Sequence, residues 1–145
     1  MLGWELPPHN SGGLGVACLH LSESLAKQGV DIDFVVPYEA EHHLKDVNVI
    51  SAMHIDPLYR YGGGAYESEK IEEKFVPNLV TKQTMSIRDV QRNYCEFVKR
   101  YLMEYKPDVV HAHDWLTYEA GIIAKKNFGI PLVAHVHATE FDRGG

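Results

Sequence analysis

The first third of the chain changes from a helical to a strand-like spacing of apolar residues. Apolar side chains three or four positions apart predict the buried face of a helix, at Leu14, Cys18, Leu21 and Leu25. Gly29 supplies a stop for this helix. Residues 30–36 alternate and then become wholly apolar before a proline, which predicts a strand. Residues 1–4 have the pattern of the tail end of another strand.

The same alternation continues after a polar loop. The patterns predict, in order, a strand over 47–55, a long helix from Ser86, a strand over 108–113, a helix over 115–128 and a strand over 130–137. Asp89, three residues after Ser86, completes a box-like helix cap. Gly129 closes the helix over 115–128. This alternation predicts one α/β domain over residues 1–145, with a doubly wound, mainly parallel sheet and helices on both of its faces.

One long segment, residues 56–78, does not fit either period. It is rich in glycine, tyrosine and charge, and Gly62, Gly63 and Gly64 lie at its centre. We interpret it as a long excursion, with or without a short hairpin. Loops of this length are unusual and often functional, but simple disorder explains the composition equally well.

The composition is that of a globular protein and excludes several classes of function. The chain is 45% hydrophobic and 23% charged, and it has 14 Lys+Arg against 20 Asp+Glu. An acidic chain with no clustered basic stripe is not expected to bind nucleic acid. No apolar run approaches the ~20 residues of a membrane span, and no signal peptide is visible. The two cysteines, Cys18 and Cys95, fall in apolar helix stripes, so we expect free buried thiols and a cytoplasmic location.

Three polar segments fall at the carboxyl ends of predicted strands, at residues 5–13, 113–115 and 137–145. Ligands of doubly wound sheets bind at this edge, where the strand order reverses. Gly12 and Gly13 would let an anion approach the free N–H groups at the start of a helix. We therefore expect the three segments to form one binding rim. A glycine turn by itself is a weak signal, because glycine also closes ordinary turns.

Each polar residue of this rim also has a structural explanation. Asp114 occupies a helix N-cap position, so its side chain has a capping role open to it. Trp115 can serve simply to pack against the core, and Glu140 can be an ordinary solvated charge in a loop. Two His-x-His pairs, at positions 111/113 and 135/137, put histidines on one strand face and suit zinc, with Asp114 as a further ligand. No further ligand follows Asp114 at short range, so we expect no metal.

Two other kinds of site have little support in the sequence. No Gly-x-Ser-x-Gly elbow is present for a serine nucleophile. The glycine turn, Gly12-Gly13-Leu14-Gly15, does not match the dinucleotide pattern G-x-G-x-x-G.

Four segments together resemble the N-terminal domain of retaining glycosyltransferases of the GT-B fold, in the glycogen/starch synthase-like and related bacterial families. They are Trp4-Glu5-Leu6-Pro7-Pro8, Ser11-Gly12-Gly13-Leu14-Gly15, the run from Pro107 to Trp115, and the run from Pro131 to His137. The run from Pro107 to Trp115 is quite specific. The resemblance covers most of the chain outside residues 56–78.

The resemblance implies a role for each rim residue. Gly12 and Gly13 would face the diphosphate of a nucleoside diphosphate sugar, the donor substrate. Asp114 would line the sugar and acceptor pocket, and His137 would contact the transferring sugar near the reaction centre. These two are the implied catalytic residues. The candidate substrate-binding residues of the rim are Glu5, His113, Trp115 and Glu140. No cofactor and no metal is implied.

The resemblance also implies an acceptor, a saccharide or another small molecule, and transfer with retention at the anomeric carbon. In the family, a C-terminal domain supplies the nucleotide pocket. The 145 residues would then be an acceptor-side half that is inactive without that partner domain. Glycogen synthases carry a lysine before the Gly-Gly turn, whereas this chain has Asn10-Ser11. The alternatives are a non-catalytic sugar- or nucleotide-binding module and a metal-dependent hydrolase. We expect residues 56–78 to recognise the acceptor.

Overall fold

A computed structural model describes residues 1–10, 12–54, 75–77, 84–139 and 141–142. The described elements are α1 (Gly13–Ala26), β1 (Asp33–Val36), β2 (Asn48–Ser51), β3 (Phe75–Pro77), β4 (Thr84–Ser86), α2 (Ile87–Glu104), β5 (Val110–His113), α3 (Trp115–Phe128) and β6 (Leu132–His135). The predicted helices are all present. Four of the predicted strands are present over shorter ranges than their sequence patterns, and the fifth, at residues 1–4, contributes only bridges at Leu2.

The parallel sheet is joined at its centre by residues 1–4, which we call the amino-terminal stub. β1 pairs in parallel with β2, and β5 pairs in parallel with β6. Leu2 forms parallel bridges to Val35 on one side and to Ala112 on the other. The order across the sheet is therefore β2, β1, the stub, β5 and β6. The chain leaves the stub toward β1 and later returns to its other side at β5, so the strand order reverses beside the stub.

The helices cover both faces of this sheet, as predicted. A Cβ atom on Gly121 of α3 would lie 3.2 Å from Cβ of Ala112, so α3 packs on that face. His113, the next residue of β5, points the other way and meets Cys18 of α1. Neighbouring residues of a strand point to opposite faces, so α1 and α3 lie on opposite sides. α2 packs beside α3.

Buried tyrosines hold the stub and the segment after it. The Tyr94 hydroxyl donates to the carbonyl oxygens of Val35 (2.9 Å) and Gly3 (3.3 Å). The main-chain N–H of Leu6 donates to the Tyr38 hydroxyl (2.8 Å), which donates in turn to the Leu6 carbonyl (3.3 Å). These bonds tie the buried main chain at Gly3 and Leu6 to α2 and to the segment after β1, and they fix the carboxyl end of the stub.

The predicted cap of α2 is confirmed. The Ser86 hydroxyl accepts from the Asp89 main-chain N–H, and the Asp89 carboxylate accepts from the Ser86 main-chain N–H, which is a capping box. Both Cys18 and Cys95 are free and buried, as expected. Among the described residues, no helix has both the length and the apolar character needed to cross a membrane.

The sequence analysis left two alternatives open for residues 56–78, and most of this segment lies outside the described residues. Its last part forms β3, which pairs antiparallel with β4 immediately before α2. A short hairpin is therefore present, but its second strand lies beyond the segment in which we expected it.

Gly129 offers a test of the predicted helix stop. It ends α3 in the left-handed region, at φ 68°. Because a Cβ atom is disfavoured there, Gly129→Ala should lower the free energy of unfolding by about 1 kcal/mol. Gly129→Asn should cost less, since asparagine tolerates this conformation better. Urea unfolding followed by circular dichroism measures both, and equal stability of Gly129→Ala and the parent chain would contradict the assignment.

Candidate functional site

The candidate site lies at the carboxyl ends of the stub, β5 and β6, beside the reversal of strand order. Glu5 follows the stub, and His113 and Asp114 end β5. The three are 1%, 0% and 2% exposed. Charged side chains are rarely buried without a specific reason. The burial of two carboxylates and an imidazole at this edge therefore distinguishes it from an ordinary sheet end.

Asp114 fastens the end of β5 to the end of β6. It is the N-cap residue of α3, as expected, but its carboxylate makes no cap bond. Asp114 Oδ1 instead accepts from the main-chain N–H of His137 (2.8 Å), and the Asp114 N–H donates to the His135 carbonyl (2.9 Å). The capping explanation is therefore wrong for the side chain, because the neighbouring strand end offers a donor in reach.

The backbone of Asp114 is strained. Its φ and ψ are 63° and 170°, a region that residues other than glycine occupy only when their surroundings impose it. The Thr117 hydroxyl is within hydrogen-bonding distance of the carbonyl oxygens of His113 and Asp114 (2.9 and 3.0 Å). Strain of this kind clusters at functional sites. Here it aims the carboxylate at His137 rather than into α3.

Four histidines form a column across the two strands, consisting of His111, His113, His135 and His137. His113 Nδ1 shares a hydrogen bond with His137 Nε2 (2.9 Å), and His111 Nε2 shares one with His135 Nδ1 (3.1 Å). The rings along each strand stack, with centroids 4.2 and 4.1 Å apart. The parallel register that pairs His113 with His135 produces this arrangement.

Burial favours the neutral form of three histidines in the column, His111, His113 and His137. It lowers the pKa of His113 to about 2 and that of His111 to about 4, and the neighbouring imidazoles lower both further because two positive charges would repel. The pKa of His137 is also lowered, first by burial and then by His135, although the Asp114 carboxylate opposes this. These three imidazoles therefore offer hydrogen-bonding nitrogens and no positive charge at pH 7.

The glycine turn lies open at the start of α1. Gly12 is the N-cap, with no side-chain cap bond. A Cβ atom added to Gly12 or Gly13 would meet nothing within 4 Å. Gly15 differs, because its Cβ would lie 2.5 Å from Cβ of Asn10. Gly15 is thus required for packing, whereas Gly12 and Gly13 leave free the space that an anion at this helix start would use.

Cys18 connects this helix to the histidine column. Ligand-type atoms of Cys18, His113 and His137 all lie within 4.8 Å of one another. The glycine turn, Asp114 and His137 therefore belong to one edge of the molecule, as the sequence predicted. The sequence analysis treated Cys18 as plain packing and missed its contact with the column. No signal in the sequence could have shown it, because the three residues are far apart along the chain.

The remaining candidate residues have mixed outcomes. Trp115 is partly buried and packs against the core, which favours the packing explanation. Glu140 lies outside the described residues. A cavity of about 590 Å³ lies at the opposite, amino-terminal end of the strands, with Asp33, Tyr101 and Val110 in its lining. That cavity is separate from the rim, and none of the predicted site residues that the structure describes lines it.

Comparison with known families agrees with the motifs at this edge. A family model described as the starch synthase catalytic domain matches residues 1–145. The chain belongs to this family. The predicted resemblance and the predicted α/β fold are thereby confirmed.

Several curated relatives are glycosyltransferases by name. A glycosyltransferase of Methanocaldococcus jannaschii is 28% identical over 146 positions, covering 100% of this chain and 32% of that protein. Glycogen synthase of Mycobacterium tuberculosis is 28% identical over 155 positions, covering 99% and 34%. D-inositol 3-phosphate glycosyltransferase of Corynebacterium diphtheriae is 27% identical over 137 positions, covering 88% and 27%. This chain thus spans about a third or less of the length of these relatives.

Substitution of Asp114 tests the fastening of the strand ends. Asp114→Ala should lower the free energy of unfolding by about 2 kcal/mol, because it removes the acceptor of a buried N–H and places alanine at positive φ. Asp114→Asn keeps an oxygen acceptor for this N–H, so it should cost less than half as much. Asp108→Ala, at an exposed position, is the control. Equal urea midpoints for all three variants would contradict this role.

The buried, neutral His113 imidazole predicts that the fold becomes less stable in acid. His113 binds a proton with a pKa of 6.5 when unfolded but about 2 when folded. The unfolded state therefore gains protons first as the pH falls. Stability should drop below pH 6.5 by up to ~1.4 kcal/mol per pH unit from this one buried group.

Urea unfolding at pH 7, 6 and 5, with a chelator present, measures this slope. His113→Asn should flatten it, whereas His20→Asn, at an exposed position of α1, should leave it unchanged. A slope that is the same in all three proteins would show that His113 does not cause the acid sensitivity.

Proposed function

We propose that this domain is the N-terminal, acceptor-side half of a GT-B glycosyltransferase. The full enzyme transfers a glycosyl group from a nucleoside diphosphate sugar to an acceptor with retention. The observation that carries the proposal is the hydrogen bond from the His137 N–H to Asp114, beside the open start of α1. Family membership and the names of the relatives support the reaction class.

The donor diphosphate would bind at the open glycine turn. The first N–H groups of α1 have no partner within the helix, and the helix dipole adds positive potential there. Gly12 and Gly13 leave space for phosphate oxygens to reach these N–H groups. This main-chain contact would take over part of the role of a basic side chain, which this turn lacks.

His137 and Asp114 would act on the sugar. The transition state of glycosyl transfer carries positive charge on the sugar and negative charge on the leaving diphosphate. The neutral His137 imidazole can hydrogen-bond a sugar hydroxyl without adding positive charge beside the forming cation. The buried Asp114 carboxylate holds the His137 main chain in place and contributes negative potential. Both effects are set before the reaction, which is what electrostatic stabilisation requires.

A second domain would complete the site. The chain spans about a third of its relatives, and its rim contributes two buried carboxylates and neutral histidines. Neutralising a leaving diphosphate calls for positive groups, and we assign these to a C-terminal domain that faces this rim. The isolated domain is then expected to bind the donor weakly and not to turn it over. No resident cofactor or metal takes part in this proposal.

Gly13→Val provides the test, because the free space around Gly13 lets the variant fold. The valine side chain should occupy the phosphate position and weaken nucleoside diphosphate binding by at least about tenfold, the loss of roughly one good hydrogen bond to a charged group. Ligand-observed NMR with ADP, GDP and UDP measures the affinity. Ala17→Val adds the same side chain at an exposed position of α1 and serves as the control. Unchanged binding by Gly13→Val would place the diphosphate elsewhere and overturn the assignment.

A further inference from the structure

We propose that Cys18, His113 and His137 form a binding site for a thiophilic divalent cation such as Zn²⁺. The three residues come from α1, from β5 and from the segment after β6. One ligand-type atom from each lies within 4.8 Å of the other two. The proposed transfer reaction makes no use of the Cys18 thiol, so this site is additional to it.

The donor set suits zinc. Zinc in proteins is held by thiolate and imidazole in tetrahedral geometry, at about 2.3 Å for sulfur and 2.0–2.1 Å for nitrogen. Two nitrogens on such an ion lie roughly 3.4 Å apart. The two nitrogens that His113 and His137 direct at each other are 2.9 Å apart, and the Cys18 sulfur lies within 4.8 Å of a nitrogen of each ring, so the three side chains would close around the ion on binding. His113 can offer the cation either its Nδ1 atom, in place of the hydrogen bond to His137, or its Nε2 atom, which has no partner among the described residues. The thiol would lose its proton to solvent on binding.

A second observation points to a ligand at His113. Its side chain is 0% exposed, and among the described residues its Nε2 atom has no hydrogen-bond partner. Leaving a buried polar atom unpaired is unfavourable. His113 also belongs to a second group of potential ligands, with His111 and His135. His113 therefore belongs to both groups of potential ligands among the described residues, and a cation bound to it would lie beside the other histidines of the column.

The charge around the site favours a cation. The carboxylates of Glu5 and Asp114 both act electrostatically on Cys18, and both side chains are almost fully buried. In a buried setting, such interactions are weakly screened. A divalent ion and the Cys18 thiolate together carry one positive charge, which the two carboxylates would more than offset. The sequence analysis weighed the two His-x-His pairs with Asp114 and expected no metal, but it had no means of placing Cys18 beside them.

Occupation of this site would block the sugar position. The proposed function places His137 against the transferred sugar, and a cation would withdraw its imidazole nitrogen from that contact. Only this consequence rests on the proposed function. The cation site itself is a property of the domain, and it would act as an inhibitory site rather than as part of the reaction.

Titration of the purified domain with Co²⁺, with thiols kept reduced, tests the site. Co²⁺ bound to a thiolate gives a near-ultraviolet charge-transfer band, and Zn²⁺ should displace it at one equivalent. We expect Cys18→Ala to abolish the band and to weaken Zn²⁺ binding at least tenfold in competition with a chelator. Cys95→Ala removes the other buried free thiol, which lies on α2, and should change neither. Circular dichroism checks that both variants fold.

His137→Gln is the second variant, chosen because His137 is only partly buried. It should also weaken Zn²⁺ binding at least tenfold. Absence of the charge-transfer band, or equal Zn²⁺ affinity in the Cys18→Ala and Cys95→Ala variants, would overturn the proposal. This titration needs no donor and no activity, so a negative result would leave the proposed transfer reaction untouched.

Discussion

Leu2 and its neighbours hold two half-sheets together through main-chain hydrogen bonds. The N–H of Leu2 donates to the His111 carbonyl (2.8 Å), and the His113 N–H donates to the Leu2 carbonyl (3.0 Å). On the other side, the Gly3 N–H donates to the Val35 carbonyl (3.0 Å). Without this pairing, β1 and β5 would have unpaired edges facing each other, and the strand order would have no reversal at which a rim could form.

The site follows from that pairing. Once the stub lies beside β5, its carboxyl end brings Glu5 and the glycine turn next to the end of β5. The parallel register of β5 with β6 then stacks four histidines and brings the His137 N–H to the Asp114 carboxylate. The rim is held by the hydrogen bonds of His137 to Asp114 and to His113. Among the described residues, the buried Nε2 atom of His113 has no hydrogen-bond partner. Such a fully placed set is expected of a site that must keep its geometry when a ligand arrives.

The rim has two regions of different electrostatic character. The start of α1 offers main-chain N–H groups and positive dipole potential, whereas the region below it offers carboxylates and neutral imidazoles. Under the proposed function, an anionic diphosphate and a sugar that becomes cationic need opposite environments, and these two regions suit them. The same negative region, next to the Cys18 thiol, would let a soft cation compete for His137.

The sequence by itself determined the local elements, because spacing and caps are properties of neighbouring residues. The capping box of Ser86 and Asp89, the stop at Gly129 and the alternation of strands and helices are all of this kind. The family motifs also predicted the sheet edge at which the candidate site is placed. Only the tertiary structure decided that Cys18 meets His113 and His137, and that Asp114 binds the next strand end instead of capping its own helix. The physical reason is that strand register and helix packing bring together residues far apart in the chain, which local periodicity does not encode.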